Sequence, residues 1–504
     1  MSQFTRFCAS VSNFVFALAA ILILSSPSYA LDLDWHGQFR AETNWLFGYA
    51  NSGLATPTTP ATDTGYTIPS NGDNPASFQN LFFRLEPRVI VNDNISIHSD
   101  VWVGTPDRGV FGGDQNVTSY YGTTNTGTAD ITANTYYAEV ATDFGTITVG
   151  RAPLNWGLGL VWNNSEDSFD RFPSTGDVIR LETKLGAFRF MPGVVKYRNG
   201  TNYGGSVGND PCTTGTGLTT PCSTIGGGSG VSDYTVGLMY ANDDEQLDLG
   251  ILFLRRIAGQ NSHVVNPFSV DSIGYTGYAY NLWDFYAKKQ AGIFTFAAEV
   301  PLVNGFVANH DYNTVAGAAK VKAQLNDHWA VNVNLGEAGG QESVATGSQS
   351  GRLSVFSFHP DYRPGLLMFN YNFRNLSNRA ASPYYNPVTN ARFLSLSLNY
   401  ASGKWTHGLL GLYAIADKTA GSSGLYYNSW DGVYRTVNSG AQAQDKNLGF
   451  ELDYQLAYHW DESIRLGVDL GLLFPGKFFE FSNGPVANAT KTTFGSGLNL
   501  MVNF

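Results

Sequence analysis

The chain has 504 residues and a formal net charge of −11 at pH 7, which argues against a nucleic-acid-binding protein because such proteins need basic patches. Charged residues make up only 14% of the chain, against about 25% in a typical soluble domain, and aromatic residues make up another 14%. With its 56 glycines, this composition favours a β-barrel whose outer wall meets lipid, and a large secreted β-sandwich or β-helix is the soluble alternative.

Residues 1–30 predict a secretory signal peptide. Arg6 is the only charged residue among them, an unbroken apolar run covers residues 14–24, and residues 28–30 form a small-x-small cleavage site. The apolar run is too short to cross a membrane as a helix. We therefore expect cleavage after Ala30, so that the mature chain begins at Leu31 and residues 31–504 form the exported domain.

Alternating hydrophobicity begins directly after this segment and recurs along the chain. Residues 33–43 and 394–400 both follow the pattern. Its clearest example has apolar side chains at every second position: Leu448, Phe450, Leu452, Tyr454, Leu456, Tyr458 and Trp460. Since successive side chains of a strand point to opposite faces, such stretches predict strands with one apolar face. An apolar face of about 10 residues suits a tilted strand that crosses a bilayer.

Short and long connections alternate between these strands. The short ones consist of turn residues at 92–94, 143–145, 243–245, 326–328, 402–403 and 461–462. The long ones are rich in Gly, Ser, Thr and Asn and cover 48–77, 105–132, 152–176, 199–231, 258–279, 416–444 and 475–490. This strict alternation predicts a transmembrane, antiparallel, up-and-down β-barrel with short periplasmic turns and long extracellular loops. Both ends of the mature chain are then periplasmic, and the number of strands is even, about 18.

Residues 352–374 allow two interpretations. A hairpin around Asp361-Tyr362-Arg363-Pro364 would raise the count to about 20 strands. However, the apolar run at residues 366–369 does not alternate, so a segment folded into the mouth of the barrel fits the sequence equally well. A barrel of this size is wide enough for an aqueous channel unless loops plug it.

The polar faces of the strands carry the candidate functional residues. Facing lipid near the bilayer midplane, a basic side chain would cost roughly 2–4 kcal/mol, so we expect these residues to face the lumen. The predicted pore-lining residues are Arg40, Glu42, Arg84, Glu86, Arg88, Arg180, Glu182, Lys184, Lys320, Lys322, Glu451 and Asp453. By the same parity, His98, Asp100, Glu139, Glu299, Arg465 and Asp469 also point inward. This set forms either a charged lining that selects solutes or a lattice of ion pairs that braces the interior.

The mature chain contains two cysteines, Cys212 and Cys222, in a long Gly/Thr/Ser-rich connection. In an oxidising compartment this short separation predicts a disulfide on an outer loop. Two unpaired thiols are the alternative.

The chain ends on an alternating stretch, residues 497–504, in which Leu498, Leu500, Val502 and Phe504 are apolar. A last strand with a terminal aromatic resembles the closing strand of bacterial outer-membrane β-barrels. That resemblance implies that Gly497, Leu500, Val502 and Phe504 belong to the signal read by the barrel-assembly machinery.

Two internal motifs add to the resemblance. Residues 150–159 contain Gly-Arg followed by Trp-Gly-x-Gly, which resembles porin-like families that include alginate-export-type barrels and outer-membrane proteins of predatory and social bacteria. His359-Pro360-Asp361-Tyr362-Arg363 is similar to a segment of the latter group. The resemblance implies a porin-like barrel in the outer membrane of a Gram-negative bacterium. A plain alternative for the first motif is a glycine-rich strand end at which the chain bends inward.

Residues 163–170 form an acidic, oxygen-rich stretch. Clustered oxygen ligands suit Ca²⁺, but the spacing does not match an EF-hand, so a solvated loop is the default and we predict no metal or other cofactor.

The leading functional hypothesis is a porin-like channel for passive diffusion of small hydrophilic solutes. The alternatives are a surface adhesin or receptor barrel that acts through its loops and a barrel-embedded hydrolase. The usual catalytic and phosphate-loop motifs are absent, so we predict no enzyme, although a wall pair such as His98 with Asp100 would not appear as a motif. The expected partners are outer-membrane lipid, the barrel-assembly machinery and the solutes.

Overall fold

The computed structural model describes residues 32–48, 76–107, 131–197, 211–213, 219–221, 231–258, 264–265, 273–274, 278–307, 310–345, 352–373, 383–428, 433–488 and 490–504. Within these residues, 18 strands form an antiparallel sheet that closes on itself. Closure occurs because β1 (Asp32–Phe47) pairs both with β2 (Ala76–Asn92) and with β18 (Thr493–Asn503). The predicted fold class is confirmed, and the wall has 18 strands rather than 20.

The other wall strands follow in chain order. They are β3 Ile95–Val103, β4 Ile131–Thr142, β5 Gly145–Pro153, β6 Thr175–Leu185, β7 Phe188–Lys196, β8 Ser232–Asn242, β9 Leu247–Ala258, β10 Tyr278–Ala291, β11 Phe294–Val307, β12 His310–Val315 with Gly317–Gln324, β13 Trp329–Ala338, β14 Ala391–Ser402, β15 Trp405–Ala416, β16 Asn447–His459 and β17 Ile464–Pro475. Both parts of β12 pair with β11, so they count as one wall strand around Ala316.

Smaller elements lie outside the wall. They are the strand Arg352–Leu353, the pairs Pro211–Thr213 with Thr219–Pro221, Val264–Val265 with Ile273–Gly274 and Leu425–Asn428 with Val433–Thr436, and the 3-10 helix Lys477–Glu480. Among the described residues no helix is both long enough and apolar enough to span a membrane.

The period-2 pattern separates the two faces of the wall. On β14, Leu394 and Leu396 are 52% and 55% exposed, whereas Phe393 and Ser395, which alternate with them, are buried. The exposed apolar side chains point away from the lumen, which is the surface that lipid covers in a transmembrane barrel. The sequence pattern therefore identified both faces.

The connections follow the predicted alternation with one exception. At the loop end of the barrel, only residues 308–309 separate β11 from β12. The strict alternation expected from the sequence is therefore wrong at this point. The tight connection brings the start of β12 back along β11, and Arg352–Leu353 runs parallel to that same part of β12.

The ambiguous residues 352–373 are not a hairpin of the wall. β13 pairs directly with β14, so the connection between them contributes no wall strand. Its non-alternating apolar residues are buried inside the barrel because they pack there against the wall and against residues 154–174.

Phe504 fastens the end of the chain to β1. Its backbone exchanges two hydrogen bonds with Gly37, with N···O distances of 2.8 and 3.0 Å, and its ring stacks on Phe83. The role of this strand as an assembly signal stays a prediction. The signal peptide and Cys222 lie outside the described residues, so cleavage after Ala30 and the Cys212–Cys222 disulfide also stay predictions.

Candidate functional site

Two stretches of the chain leave the wall at its loop end and fold into the lumen. The first infolded segment, residues 154–174, joins β5 to β6. The second infolded segment consists of residues 354–373 and 383–390, between β13 and β14. Both contribute to one apolar cluster that includes fully buried Leu160, Phe358 and Leu367. The lumen is therefore narrowed by packed backbone as well as by wall side chains.

A wall carboxylate fixes the first infolded segment. The chain turns through Gly157 and Gly159, whose φ angles of 58° and 81° glycine adopts without strain. This turn directs the backbone N–H groups of Leu158 and Leu160 at the carboxylate of Glu299 on β11. A Cβ atom on Gly157 would lie only 2.5 Å from Glu299 Oε2. The Trp-Gly-x-Gly motif is therefore the bend that brings the chain into the lumen.

Two wall carboxylates on β16 fix the second infolded segment. Glu451 accepts hydrogen bonds from the backbone N–H groups of Leu367 and Met368, each at 2.6 Å, and Asp453 accepts one from Leu366 at 3.0 Å. These bonds satisfy buried backbone donors that have no strand partner. The apolar run 366–369 is therefore a buried, carboxylate-bound turn.

Glycines of the wall make room for this turn. Cβ atoms on Gly471 of β17 and Gly495 of β18 would lie 2.9 and 2.4 Å from side-chain atoms of Leu367. Because Leu367 fills the space that a larger residue would occupy, the second infolded segment packs directly on the wall.

The two infolded segments meet at a junction centred on Asp361. Its carboxylate accepts hydrogen bonds from the backbone N–H groups of Arg171 at 2.9 Å and Phe172 at 2.7 Å, and also from the Ser165 hydroxyl. Nearby, the Arg363 guanidinium contacts the Asp170 carboxylate at 2.6 Å. The junction thus joins two motifs that stood out separately in the sequence, residues 163–170 and 359–363.

Burial shifts the pKa of two groups at this junction. Burial and the neighbouring Asp361 raise the pKa of Asp170 to about 7, despite its ion pair with Arg363. Burial lowers the pKa of His359 to about 4. The Nδ1 atom of His359 accepts the Asp361 backbone N–H at 3.2 Å, which agrees with a neutral ring.

A buried cluster of opposite charges ties the first infolded segment to β1. Arg171 binds both carboxylate oxygens of Glu42, at 2.8 and 2.9 Å, and its guanidinium lies 3.5 Å from the centroid of the Tyr384 ring. Arg40 donates to the backbone oxygens of Ser168 and Asp170, each at 3.2 Å. A bidentate arginine–carboxylate pair gives a fixed orientation as well as attraction, so this part of the segment is firmly positioned.

The predicted pore-lining residues fall into two groups. Four are buried beneath the infolded segments and bind them or each other: Arg40, Glu42, Glu451 and Asp453. The other eight are exposed or half-buried side chains of the wall: Arg84, Glu86, Arg88, Arg180, Glu182, Lys184, Lys320 and Lys322. The first group therefore holds the infolded segments in place, whereas the second group is open to water, and within it Arg84 pairs with Glu86 at 2.8 Å.

The remaining inward residues also have described surroundings. Glu299 is buried under the first infolded segment, and Asp100 accepts Arg84 Nε at 3.0 Å. On β17 and β18, Asn499 contacts both Arg465 and Asp469, each at 2.7 Å.

The tip of the first infolded segment carries exposed charge. Glu166 and Asp167 are exposed, and they lie close enough to Arg84 and Lys320, respectively, for their charges to interact. The Lys320 ammonium lies 4.6 Å from the centroid of the Tyr362 ring, which belongs to the second infolded segment. Acidic groups of the tip therefore face basic groups of the wall.

The acidic stretch 163–170 uses its polar groups within the protein. Asp170 binds Arg363, and Glu166 accepts a hydrogen bond from Asn164. Among the described residues, no three metal-ligating side chains come together in a group that could hold a metal ion.

His98, the wall histidine considered above for a hydrolase, does not bind Asp100. His98 Nε2 lies 2.9 Å from Ser96 Oγ and 3.3 Å from Glu139 Oε2, while Asp100 binds Arg84 instead. A Ser–His–acid relay requires its two partners on opposite ring nitrogens, whereas both partners of His98 lie at the same nitrogen.

Sequence reasoning missed a buried polar cluster near the loop end. Arg256 of β9 binds both carboxylate oxygens of Asp233 on β8, each at 2.8 Å. Tyr197 donates to Asp233 at 2.6 Å and accepts from Trp162 at 3.0 Å, so the cluster also fastens the first infolded segment. The inward parity of Asp233 and Arg256 was the signal that could have identified them.

Comparison with solved structures gives neighbours for the fold. OccK9 (OpdG) of Pseudomonas aeruginosa matches with a TM-score of 0.50 and 11% identity, covering 94% of this chain and 98% of that one. OccK2 (OpdF) of the same organism, solved in complex with glucuronate, matches with a TM-score of 0.48 and 10% identity over the same shares of both chains. OmpT of Vibrio cholerae matches with a TM-score of 0.36 and 10% identity, covering 95% of this chain and 99% of that one.

No protein-family model matches the chain, and no curated protein is similar to it in sequence. The assignment therefore depends on the closed wall of 18 strands, its exposed apolar outer face and the neighbours of its fold. The chain therefore has a porin-like fold, a closed antiparallel β-barrel of 18 strands.

Proposed function

We propose that this barrel is a channel through which small hydrophilic solutes cross the outer membrane by passive diffusion. The observation that carries the proposal is the contrast inside the lumen. Two infolded segments are fastened to the wall by buried carboxylates, while charged side chains beside them stay exposed. A narrowing with fixed walls and a wet, charged lining is what a solute-selective pore requires.

Solute selection would take place around the tip of the first infolded segment. Glu166 and Asp167 supply negative charge there, and Arg84 and Lys320 supply positive charge from two different wall strands. Charges of both signs around one passage favour polar solutes over apolar ones, because a polar solute replaces part of its lost hydration with these groups.

The anchoring of the infolded segments supports diffusion rather than import by removal of a plug. Each segment is covalently continuous with two wall strands and is held by several buried hydrogen bonds. Removing such a segment would break these hydrogen bonds and expose its buried apolar side chains to water.

Single-channel recording in a planar lipid bilayer tests the proposal. We expect the purified, heat-modifiable barrel to give stable unitary currents, and heat-unfolded protein is the control. Absence of unitary currents from correctly folded barrels would reject the channel and favour a barrel that acts through its outer loops.

A further inference from the structure

The outer wall carries two different kinds of side chain next to its loop end. On β15, β16, β17, β18 and β1, the outward residues at this level are aromatic: Tyr413, Phe450, Phe474, Phe494 and Phe47. Phe450 stacks with Phe474 at 6.3 Å between ring centroids, and Phe47 stacks with Phe494 at 6.0 Å. Aromatic rings at this position form the girdle by which barrels meet the membrane interface.

The opposite side of the barrel is mostly polar at the same level, and its exception is the exposed Tyr234 of β8, which pairs with Arg255 in the register. We name its outward residues on β5, β6, β7, β9, β10, β11 and β12 the polar arc: Arg151, Asp177, Lys196, Arg255, Asn281, Asn304 and Asn313. Each lies within three residues of the loop end of its strand. Their outward direction follows from the alternation, because Arg256 and Val195, the neighbours of Arg255 and Lys196, are buried inside.

The polar arc lies directly above the apolar band. Two residues nearer the short-turn end on the same strands are Val149, Ile179, Val194, Phe253, Trp283, Leu302 and Val315. Because long loops mark the outer side of such barrels, the arc lies at the interface with the outer leaflet.

The arc combines positive charge with a row of amides. Arg151 is paired with Asp177 through two hydrogen bonds of 2.8 and 3.0 Å, whereas Lys196 is exposed. Arg255 donates one hydrogen bond, at 3.1 Å, to Asn281. Since a guanidinium has five N–H donors, Arg255 retains donors for a further acceptor.

The amide row follows the register of the sheet. Asn281 pairs with Asn304, and Asn304 pairs with Asn313, so three amides lie side by side on the outer wall. Each amide can donate and accept hydrogen bonds, as a sugar hydroxyl can. One further acidic residue of this face, Asp311, lies two residues closer to the loop end than Asn313 and pairs with Phe306 in the register.

We propose that the polar arc binds the phosphorylated headgroup of an outer-leaflet glycolipid. Lys196 and Arg255 would contact a phosphate, and the amide row would contact the adjoining sugar. The charge argument is specific to this face, because the chain as a whole carries −11, whereas the face has three cations against Asp177 and Asp311. Basic side chains beside a bilayer each attract anionic headgroups by about 1 kcal/mol.

The test measures binding of bisphosphorylated lipid A to the detergent-solubilised, heat-modifiable barrel by native mass spectrometry. We expect the double variant Lys196→Glu, Arg255→Glu to weaken binding at least about tenfold. The neutral double variant Lys196→Gln, Arg255→Gln covers the case in which charge reversal prevents folding, and it should weaken binding in the same direction. The control Lys404→Glu changes an exposed cation between β14 and β15 and should bind like the unaltered protein.

Three results would overturn the proposal. The first is unchanged lipid binding by the folded double variants. The second is equal binding of lipid A from which the phosphates have been removed. The third is a lipid-free dimer that the double variants abolish, which would assign the arc to a second copy of the chain.

Discussion

The first and second infolded segments are both held by wall carboxylates that accept backbone N–H groups, but they present different surfaces. Beyond its anchor at Glu299, the first ends in an exposed acidic tip with Glu166 and Asp167. At its anchor, Glu451, the second segment buries the side chain of Leu367 against the wall. Similar anchoring therefore serves two purposes, since one segment places charge in the passage and the other fills space.

The largest expected effect comes from releasing the space-filling segment. Glu451→Ala leaves the N–H groups of Leu367 and Met368 without their acceptor, at a cost of about 1–3 kcal/mol each, so the segment should detach and the passage should widen. We expect a severalfold rise in single-channel conductance in planar bilayers. Glu462→Ala is the control, because Glu462 is an exposed carboxylate in the short turn between β16 and β17. Equal conductance of the Glu451 variant and the unaltered protein would contradict the anchoring role.

Releasing the anchor of the charged segment should have a smaller effect on conductance and a clearer one on selectivity. Glu299→Ala frees the turn at Leu158 and Leu160, but Asp361 and Glu42 still hold the rest of the segment. The tip should shift relative to the wall without leaving the lumen. We expect a changed reversal potential in a salt gradient and a modest change in conductance. A conductance rise as large as that of Glu451→Ala would remove the distinction between the two segments.

Reversing charge opposite the tip should alter selectivity alone. Lys320→Glu with Lys322→Glu places negative charge on the exposed inner face of β12, near Asp167. We expect the reversal potential to move towards cation preference, because the local field then attracts cations. Assembly should be preserved, as heat modifiability will show, since neither residue faces lipid. Lys404→Glu, which changes a turn residue, should leave the reversal potential unchanged.

The smallest expected effect is a pH dependence at the junction of the two segments. The pKa of His359 is lowered to about 4, so its stabilising contribution is complete above its ordinary pKa of 6.5 and is lost as the pH falls through about 4. Asp170 has the opposite sign: its pKa is raised to about 7, so its contribution is complete below 3.8 and is lost as the pH rises through about 7.

Current noise from the open channel reports the loosening of this junction. We expect the unaltered channel to become noisier below pH 4 and above pH 7. His359→Gln should reduce the first increase, and Asp170→Asn should reduce the second. If the noise of both variants depends on pH as it does in the unaltered protein, the noise does not originate at this junction.

Much of the wall could be predicted from the sequence because it depends on short-range regularities. Period 2 placed Leu394 outward and Ser395 inward, and the same parity gave Glu299 and Glu451 an inward direction. Which inward charges remain open to water could not be predicted this way. That depends on where the two infolded segments, residues 154–174 and residues 354–373 with 383–390, lie in the lumen, which is a long-range property of the fold.

The sequence by itself determined the barrel class, the two faces of its strands and the end of the chain that closes it, because strand alternation is local and repeats along the wall. Only the tertiary structure decided the interior. Asp361 and Arg171 are 190 residues apart, yet they meet where the two infolded segments join. No local pattern encodes that contact, because it arises when buried backbone N–H groups without strand partners must find acceptors within the closed wall.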